Sequence, residues 1–150
     1  MSHDTHHHQK ESFITKYIFS QDHKMIARQY LLTAIFMGAI GIALSALFRL
    51  KLGWPDDKFP ILESILGSDA APDGLLDSNW YLGLVTLHGT IMVFFVLTGG
   101  LSGTFSNLLI PLQIGARDMA SGLMNMISYW LFFLSSVLMA ASLFIETGPA

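Results

Sequence analysis

His88 lies within a long apolar stretch of sequence, where burying an ionisable side chain costs free energy. His88 comes eight positions after Trp80, in an otherwise uncharged run that ends at Leu112. In a helix it would lie about 12 Å from the Trp80 end of that run, a depth at which an ionisable side chain is usually functional. A neutral imidazole among apolar helices is a good axial ligand for haem iron, and Gly89 beside it would let a flat macrocycle approach. The alternative is a neutral histidine bound to a backbone carbonyl of a neighbouring helix, and the residues alone leave both open.

Arg49 is a second candidate, because it ends an uncharged run that starts at Tyr30 and lies on the same side as His88. A guanidinium there can donate hydrogen bonds to a polar group of a cofactor. It can also simply extend to the membrane interface, as arginine commonly does at helix ends. Taken alone, the residue favours the interfacial role.

Asp118 lies at the opposite end, in a turn between two uncharged runs, with Asn107 and Asn125 on either side. A carboxylate in such a turn, at the end of the helices where they meet water, can collect protons. The two amides can orient water but do not titrate. The alternative is an exposed aspartate paired with Arg117 and two amides that cap or link helices. Without further information this alternative is favoured.

Three uncharged runs must position these side chains. They are Tyr30–Phe48, Trp80–Leu112 and Met119–Ile145, each near or above the roughly 20 residues that span a bilayer core as a helix. The runs are continuous and do not alternate apolar with polar residues, which excludes barrel strands. The sequence therefore predicts an all-α membrane protein with three transmembrane helices. Small residues at helical spacing, such as Gly99 and Gly103, predict close helix packing.

The predicted boundaries divide the chain into seven segments. Transmembrane helices cover 25–50, 80–110 and 121–146, with Pro111 and Gly115 favouring a turn over 111–120. Residues 1–24 form a cytoplasmic segment, 51–79 an external loop with a short helix near Ile61–Leu66, and 147–150 the start of another external loop. The orientation follows from lysine and arginine, which number five on the N-terminal side and three on the other.

Composition excludes several classes of protein. Of the 150 residues, 52% are hydrophobic and 13% are charged, about half the charge density of a soluble domain. The net charge of −3 gives no basic surface for nucleic acid. No cysteine is present, so disulfides, iron–sulfur clusters and thiolate metal sites are excluded.

Four stretches are distinctive in residue type, order and spacing. They are Phe19-Ser-Gln-Asp-His-Lys24, Ala43-Leu-Ser-Ala-Leu-Phe-Arg49, Leu87-His-Gly-Thr-Ile-Met-Val-Phe-Phe95 and Asn107-Leu-Leu-Ile-Pro-Leu-Gln-Ile-Gly-Ala-Arg-Asp-Met-Ala120. From about Phe13 onward, the chain resembles the N-terminal part of subunit I of the haem–copper oxidases, of the cytochrome c oxidase type. The resemblance implies a bundle of about twelve helices, of which this chain supplies three. We therefore expect a piece of a longer polypeptide.

The resemblance also implies roles for the candidate residues. His88 matches one of the two axial histidines of a low-spin haem, and Arg49 matches the arginine that contacts the formyl group of haem a. Asp118 matches the entrance aspartate of the D proton pathway, with Asn107 and Asn125 as its entrance asparagines. A high-spin haem and the copper CuB are expected outside this segment.

The resemblance further implies a setting in the bacterial inner membrane. The expected partners are the rest of subunit I, oxidase subunits II and III, the lipid bilayer and cytochrome c as electron donor, but no nucleic acid. A quinol oxidase subunit I and a non-catalytic membrane scaffold or transporter segment are the alternatives. The chain departs from the family pattern next to Asp118, where Arg117 replaces the usual proline. A fixed cation there favours the ionised form of Asp118.

Overall fold

Three long helices make up most of the molecule. The computed structural model describes residues 13–145, and of Thr15 only the backbone. Helix α1 covers His23–Gly53, α2 covers Pro60–Leu66, α3 covers Ser78–Ile114 and α4 covers Gly122–Ala141. A short 3₁₀ turn extends α4 to Phe144, and α1, α3 and the extended α4 are each long and apolar enough to cross a membrane. The described residues contain no strand, and the predicted all-α membrane class is confirmed.

Helix α3 is longer than the 80–110 that the sequence predicts. It continues through Pro111, whose missing N–H costs one hydrogen bond in the final turn. The helix ends instead at Gly115, which has a φ of +69°. The Ala116 N–H donates to the Pro111 carbonyl at 2.9 Å, which closes the last turn in the manner typical of glycine-terminated helices. The connecting turn is therefore shorter than 111–120.

Side-chain caps define where the helices begin. Asp22 accepts the Lys24 N–H at 3.2 Å at the start of α1, and Asp77 accepts the Asn79 N–H at 2.8 Å at the start of α3. Such caps satisfy N–H groups that have no partner inside the helix. The expectations for residues 1–12 and 147–150 lie outside the described residues.

Glycines set how closely the helices approach. A Cβ on Gly100 would lie 2.3 Å from the Ala34 Cβ, and one on Gly103 would lie 2.5 Å from the Tyr30 ring, so α3 packs directly against α1 at both positions. Gly99 faces Phe132 of α4 in the same way. The predicted role of small residues in helix packing is therefore confirmed.

The middle of α3 is wider than an ordinary α-helix. Residues Ile91–Leu101 form a π-helical stretch that starts three positions after His88. Such stretches are rare, and short ones often occur at functional sites.

The connection between α1 and α3 is compact and closes one end of the bundle. Leu62 of α2 and the neighbouring Ala71 and Leu76 are buried in the same cluster as Leu44 and Leu84 of the long helices. The predicted short helix in this connection is confirmed by α2. Most of the outer surface of the long helices is apolar, as expected of helices that face lipid or further helices.

Candidate functional site

The His88 ring is held by a backbone group of a different helix. Its Nδ1 lies 2.8 Å from the carbonyl oxygen of Gly41 in α1. A carbonyl can only accept, so Nδ1 carries the hydrogen and donates it. Gly41 also packs against the helix that carries His88, since a Cβ at that position would lie 2.9 Å from the Met92 sulfur. The carbonyl interaction that the sequence left as an alternative is therefore present.

This hydrogen bond is compatible with a role of His88 as a metal ligand, because it leaves the other ring nitrogen free. With the proton fixed on Nδ1, the lone pair of Nε2 is free. Nε2 is not enclosed and has no hydrogen-bond partner among residues 13–145. Metal-bound histidines almost always donate their other ring nitrogen to a carbonyl or carboxylate, which fixes the tautomer and raises the basicity of the ligand.

The surroundings of His88 suit a flat aromatic group. Phe48 of α1 lies edge-on to the imidazole with ring centroids 5.6 Å apart, which fixes one side of the ring. At the next position in the sequence, a Cβ on Gly89 would meet no atom within 4 Å. The residues present thus fit a haem: they supply one nitrogen ligand, an apolar wall and open space next to the helix.

Arg49 lies at the same end of the bundle but does not contact His88. Its side chain is exposed, and it forms no hydrogen bond or ion pair within the part of the chain that the structure describes. The adjacent Phe48 contacts both His88 and Tyr81. Arg49 is therefore placed next to the His88 region with its guanidinium available to another group.

Asp118 lies at the other end, bound to the start of α1. Its Oδ1 is 3.1 Å from the His23 Nδ1 and 3.3 Å from the His23 N–H, and it also accepts the Met119 N–H at 2.8 Å. Arg117 is exposed and forms no ion pair in the described range. The alternative in which Asp118 pairs with Arg117 is wrong, because the turn directs the carboxylate toward α1.

The net effect of these contacts is to lower the pKa of Asp118 below its ordinary value. Partial burial is the largest single influence and raises the pKa, but donation from Met119 and from both nitrogen groups of His23 outweighs it. Asp118 also lies at the N-terminus of α1, where the helix dipole favours a negative charge. The aspartate is therefore held ionised although half of its side chain is exposed.

Asn107 and Asn125 bond to each other and so link α3 to α4, as in the alternative that the sequence left open. The Asn107 side chain is buried; its Nδ2 donates to the Gly103 carbonyl at 2.7 Å, and its Oδ1 accepts from the Asn125 Nδ2. These bonds fix the orientation of both amides. Neither amide bonds directly to Asp118 among the described residues, so water must connect them if a proton path runs between them.

Two pairs of hydroxyls that sequence reasoning missed lie beyond the amides. Ser128 Oγ donates to the Asn125 carbonyl at 2.7 Å and lies 3.3 Å from the Tyr30 hydroxyl. Thr33 Oγ1 lies 3.2 Å from the Tyr129 hydroxyl. Tyr30 and Thr33 are three positions apart on α1, and Ser128 and Tyr129 follow Asn125 by three and four positions on α4. This helical spacing was the signal that could have found them.

Comparison with known proteins identifies the family. The sequence profile described as Cytochrome C and Quinol oxidase polypeptide I matches residues 25–150. The chain belongs to this family. Three relatives are 34–42% identical to it. They are the alternative cytochrome c oxidase subunit 1 of Bradyrhizobium diazoefficiens, at 42% over 92% of this chain, the cytochrome c oxidase subunit 1 of Cereibacter sphaeroides, at 34% over 95%, and a probable quinol oxidase subunit 1 of Staphylococcus aureus, at 35% over 90%.

The chain spans only part of each relative: 21%, 27% and 19% of their respective lengths. The predicted resemblance to haem–copper oxidase subunit I is confirmed. The description of this family names oxidases of cytochrome c and of quinol, and three helices among the described residues are long and apolar enough to cross a membrane.

Proposed function

We propose that the chain is the N-terminal part of the catalytic subunit of a proton-pumping terminal oxidase that reduces oxygen to water. In this proposal His88 is one axial ligand of a low-spin haem a, and Arg49 donates to a polar group at the edge of that haem. Asp118, Asn107 and Asn125 form the entrance of a proton pathway. The high-spin haem and CuB belong to other parts of the subunit.

The observation that carries the proposal is the bond between His88 Nδ1 and the Gly41 carbonyl. It holds the ring in one tautomer and one orientation with Nε2 free. When bound, a low-spin haem supplies one-electron transfer. The protein's part is to hold the ring, to exclude water with the apolar side chains around it, and to keep Nδ1 protonated.

Proton uptake is assigned to the opposite end of the molecule. Asp118 takes a proton from water in its ionised form, and the fixed amides of Asn107 and Asn125 order the water that leads inward. The hydroxyls of Tyr30 and Ser128 extend this polar line by about one helical turn. With the N-terminus on the cytoplasmic side, as the lysine and arginine count favours, uptake is from the cytoplasm of a bacterium.

Substitution of His88 by alanine tests the ligand role. In the complete oxidase, His88→Ala should abolish the low-spin haem band of the reduced-minus-oxidised spectrum, since it removes the Nε2 that would bind the iron. Thr90→Ala is the matched control, because Thr90 lies two positions away and, within residues 13–145, its hydroxyl bonds only to the Thr86 carbonyl of its own helix. An unchanged spectrum in His88→Ala would refute the proposal.

Two electron donors, cytochrome c and quinol, are candidates for the complete oxidase. Relatives named as cytochrome c oxidases and as a quinol oxidase have similar identity to this chain, so quinol is the second candidate. Purified complex that oxidises reduced cytochrome c supports our assignment, whereas oxidation of quinol alone supports the other. A membrane scaffold, the remaining alternative, predicts no haem spectrum that depends on His88.

A further inference from the structure

A contact between distant parts of the chain connects the turn after α3 to the start of α1. His23 donates to Asp118 twice, through its ring Nδ1 and through its backbone N–H, although the two residues are 95 positions apart. The His23 side chain is 2% exposed and that of Asp118 is 50% exposed. The ring is therefore fixed by its surroundings, while the carboxylate remains in contact with water.

The other nitrogen of the His23 ring indicates what the residue contributes. An ionised carboxylate can only accept, so Nδ1 carries a hydrogen, and Nε2 is enclosed without a partner among the described residues. An enclosed nitrogen without a partner is unfavourable. An apolar side chain would fill the same space without that cost. The ring Nδ1 lies 3.1 Å from the Asp118 Oδ1 and 3.5 Å from the Asp22 Oδ1, so the favourable contribution of His23 is its interaction with these two carboxylates, of which the contact with Asp118 is the shorter.

The hydrogen bonds to Asp118 are unevenly shared between its two oxygens. Within residues 13–145, all three donors, two from His23 and one from Met119, converge on Oδ1, and none reaches Oδ2. A cavity of about 400 Å³ opens in front of the carboxylate, between Asp118 and the segment that precedes α1. One oxygen is thus bound and the other is left to exchange a proton with water.

We propose that His23 is a positioning residue for proton uptake, which binds one oxygen of Asp118 and leaves the other free at the mouth of the pathway. This proposal rests on the proposed role of Asp118. Lys16 and Asp22, from the segment before α1, are the other charged groups that line the cavity in front of the carboxylate, and Arg117 precedes Asp118 in the chain. None of them bonds to Asp118 in the described part of the chain, so His23 is the side chain that orients it.

Two substitutions of His23 separate hydrogen bonding from packing. In asparagine the side-chain nitrogen is as many bonds from the backbone as Nδ1 is in histidine, so His23→Asn retains the donor to Asp118. His23→Leu fills similar space without a donor. In the complete oxidase reconstituted in vesicles, His23→Leu should slow proton uptake by roughly threefold to tenfold, the factor that corresponds to one ordinary net hydrogen bond at a half-exposed carboxylate. His23→Asn should remain close to the unmodified protein.

The pH profile provides a readout that a purely structural role would not change. Loss of the ring donor raises the pKa of Asp118, so the acid limb of the uptake rate should move to higher pH in His23→Leu and stay in place in His23→Asn. Haem spectra check that each variant assembles. If His23→Leu does not assemble, His23→Met takes its place, because a flexible methionine fills irregular space without donating.

A double-substitution test links the effect to Asp118. His23→Leu should cause no further slowing in an Asp118→Asn background, since the group it orients is then gone. Equal slowing in both backgrounds, normal uptake in His23→Leu, or slow uptake in His23→Asn would each overturn the positioning role while leaving the proposed pathway intact. Normal uptake in Asp118→Asn alone would instead refute the pathway role of Asp118, and the positioning proposal with it.

Discussion

At the scale of single residues, His88 is informative because its two ring nitrogens have different environments. Nδ1 donates to the Gly41 carbonyl, and Nε2 has no partner among the described residues. From the sequence, bonding to a carbonyl and binding to iron are competing interpretations of this histidine. The structure shows that they are compatible, because one ring offers a nitrogen for each.

Asp118 gives a direct test of the proton pathway. Asp118→Asn keeps the shape of the side chain but removes its titration, so proton uptake during turnover should fall about tenfold or more while the haem spectrum stays normal. Asp57→Asn is the matched control, since Asp57 is an exposed aspartate in the connection between α1 and α3. Normal turnover-linked uptake in Asp118→Asn would remove this aspartate from the mechanism.

The contacts of Asp118 also predict its titration. Its pKa is lowered by donors that favour the ionised form, so the stabilisation they provide is complete above the ordinary aspartate pKa of about 3.9. That stabilisation is lost as the pH falls through the lower pKa of the folded protein. The turn should therefore stay bound to α1 at neutral pH and detach only in more acidic solution.

Infrared difference spectra can measure this titration, with Asp118→Asn used to assign the carboxyl band. The expected midpoint lies below that of an ordinary aspartate. A midpoint at or above the ordinary value would mean that the donation from His23 and Met119 does not outweigh burial.

At the scale of the helices, the open space beside Gly89 is the feature that a haem would use. A side chain at Gly89 meets no protein atom within 4 Å of its Cβ, so Gly89→Leu should be tolerated by the packing of this chain. In the complete oxidase it should nevertheless shift or remove the low-spin haem band, because the new side chain would project into the space next to the macrocycle.

Gly53→Leu is the matched control for this substitution. Gly53 is the last residue of α1, and a Cβ at this position would likewise meet no atom within 4 Å. The haem spectrum of this variant should be unchanged. A normal spectrum in Gly89→Leu would show that the macrocycle does not pass beside Gly89.

The helices themselves could be predicted from the sequence, because length and lack of charge are local properties. Three uncharged runs give three helices, and small residues such as Gly99 and Gly103 give their contacts. The continuation of α3 through Pro111 could not be predicted, since it depends on the left-handed cap at Gly115 to close the last turn.

The pairing of His23 with Asp118 was also beyond the sequence. A histidine in a polar segment before a helix has many possible partners, and the contact spans 95 positions. The packing of α1 and α3 and the turn after α3 together bring Asp118 next to His23. The sequence therefore marked Asp118 as a candidate, but only the tertiary structure shows its contact with His23.

At the scale of the whole molecule, the two candidate sites lie at different depths along one helix. Gly41, which holds His88, is 18 residues beyond His23, which holds Asp118, or about 27 Å along α1. Helix α1 thus supplies a hydrogen-bond partner to both sites. A single rigid element can in this way fix the positions of the proposed haem ligand and of the proposed proton entrance relative to each other.

The central claim is that His88 binds haem iron through Nε2, and an experimental density map of the complete oxidase tests it most directly. We predict a tetrapyrrole beside Gly89, with its iron within bonding distance of the His88 Nε2 and with Nδ1 still bound to the Gly41 carbonyl. A map with no macrocycle at this ring, or with the imidazole turned toward lipid, would contradict the claim.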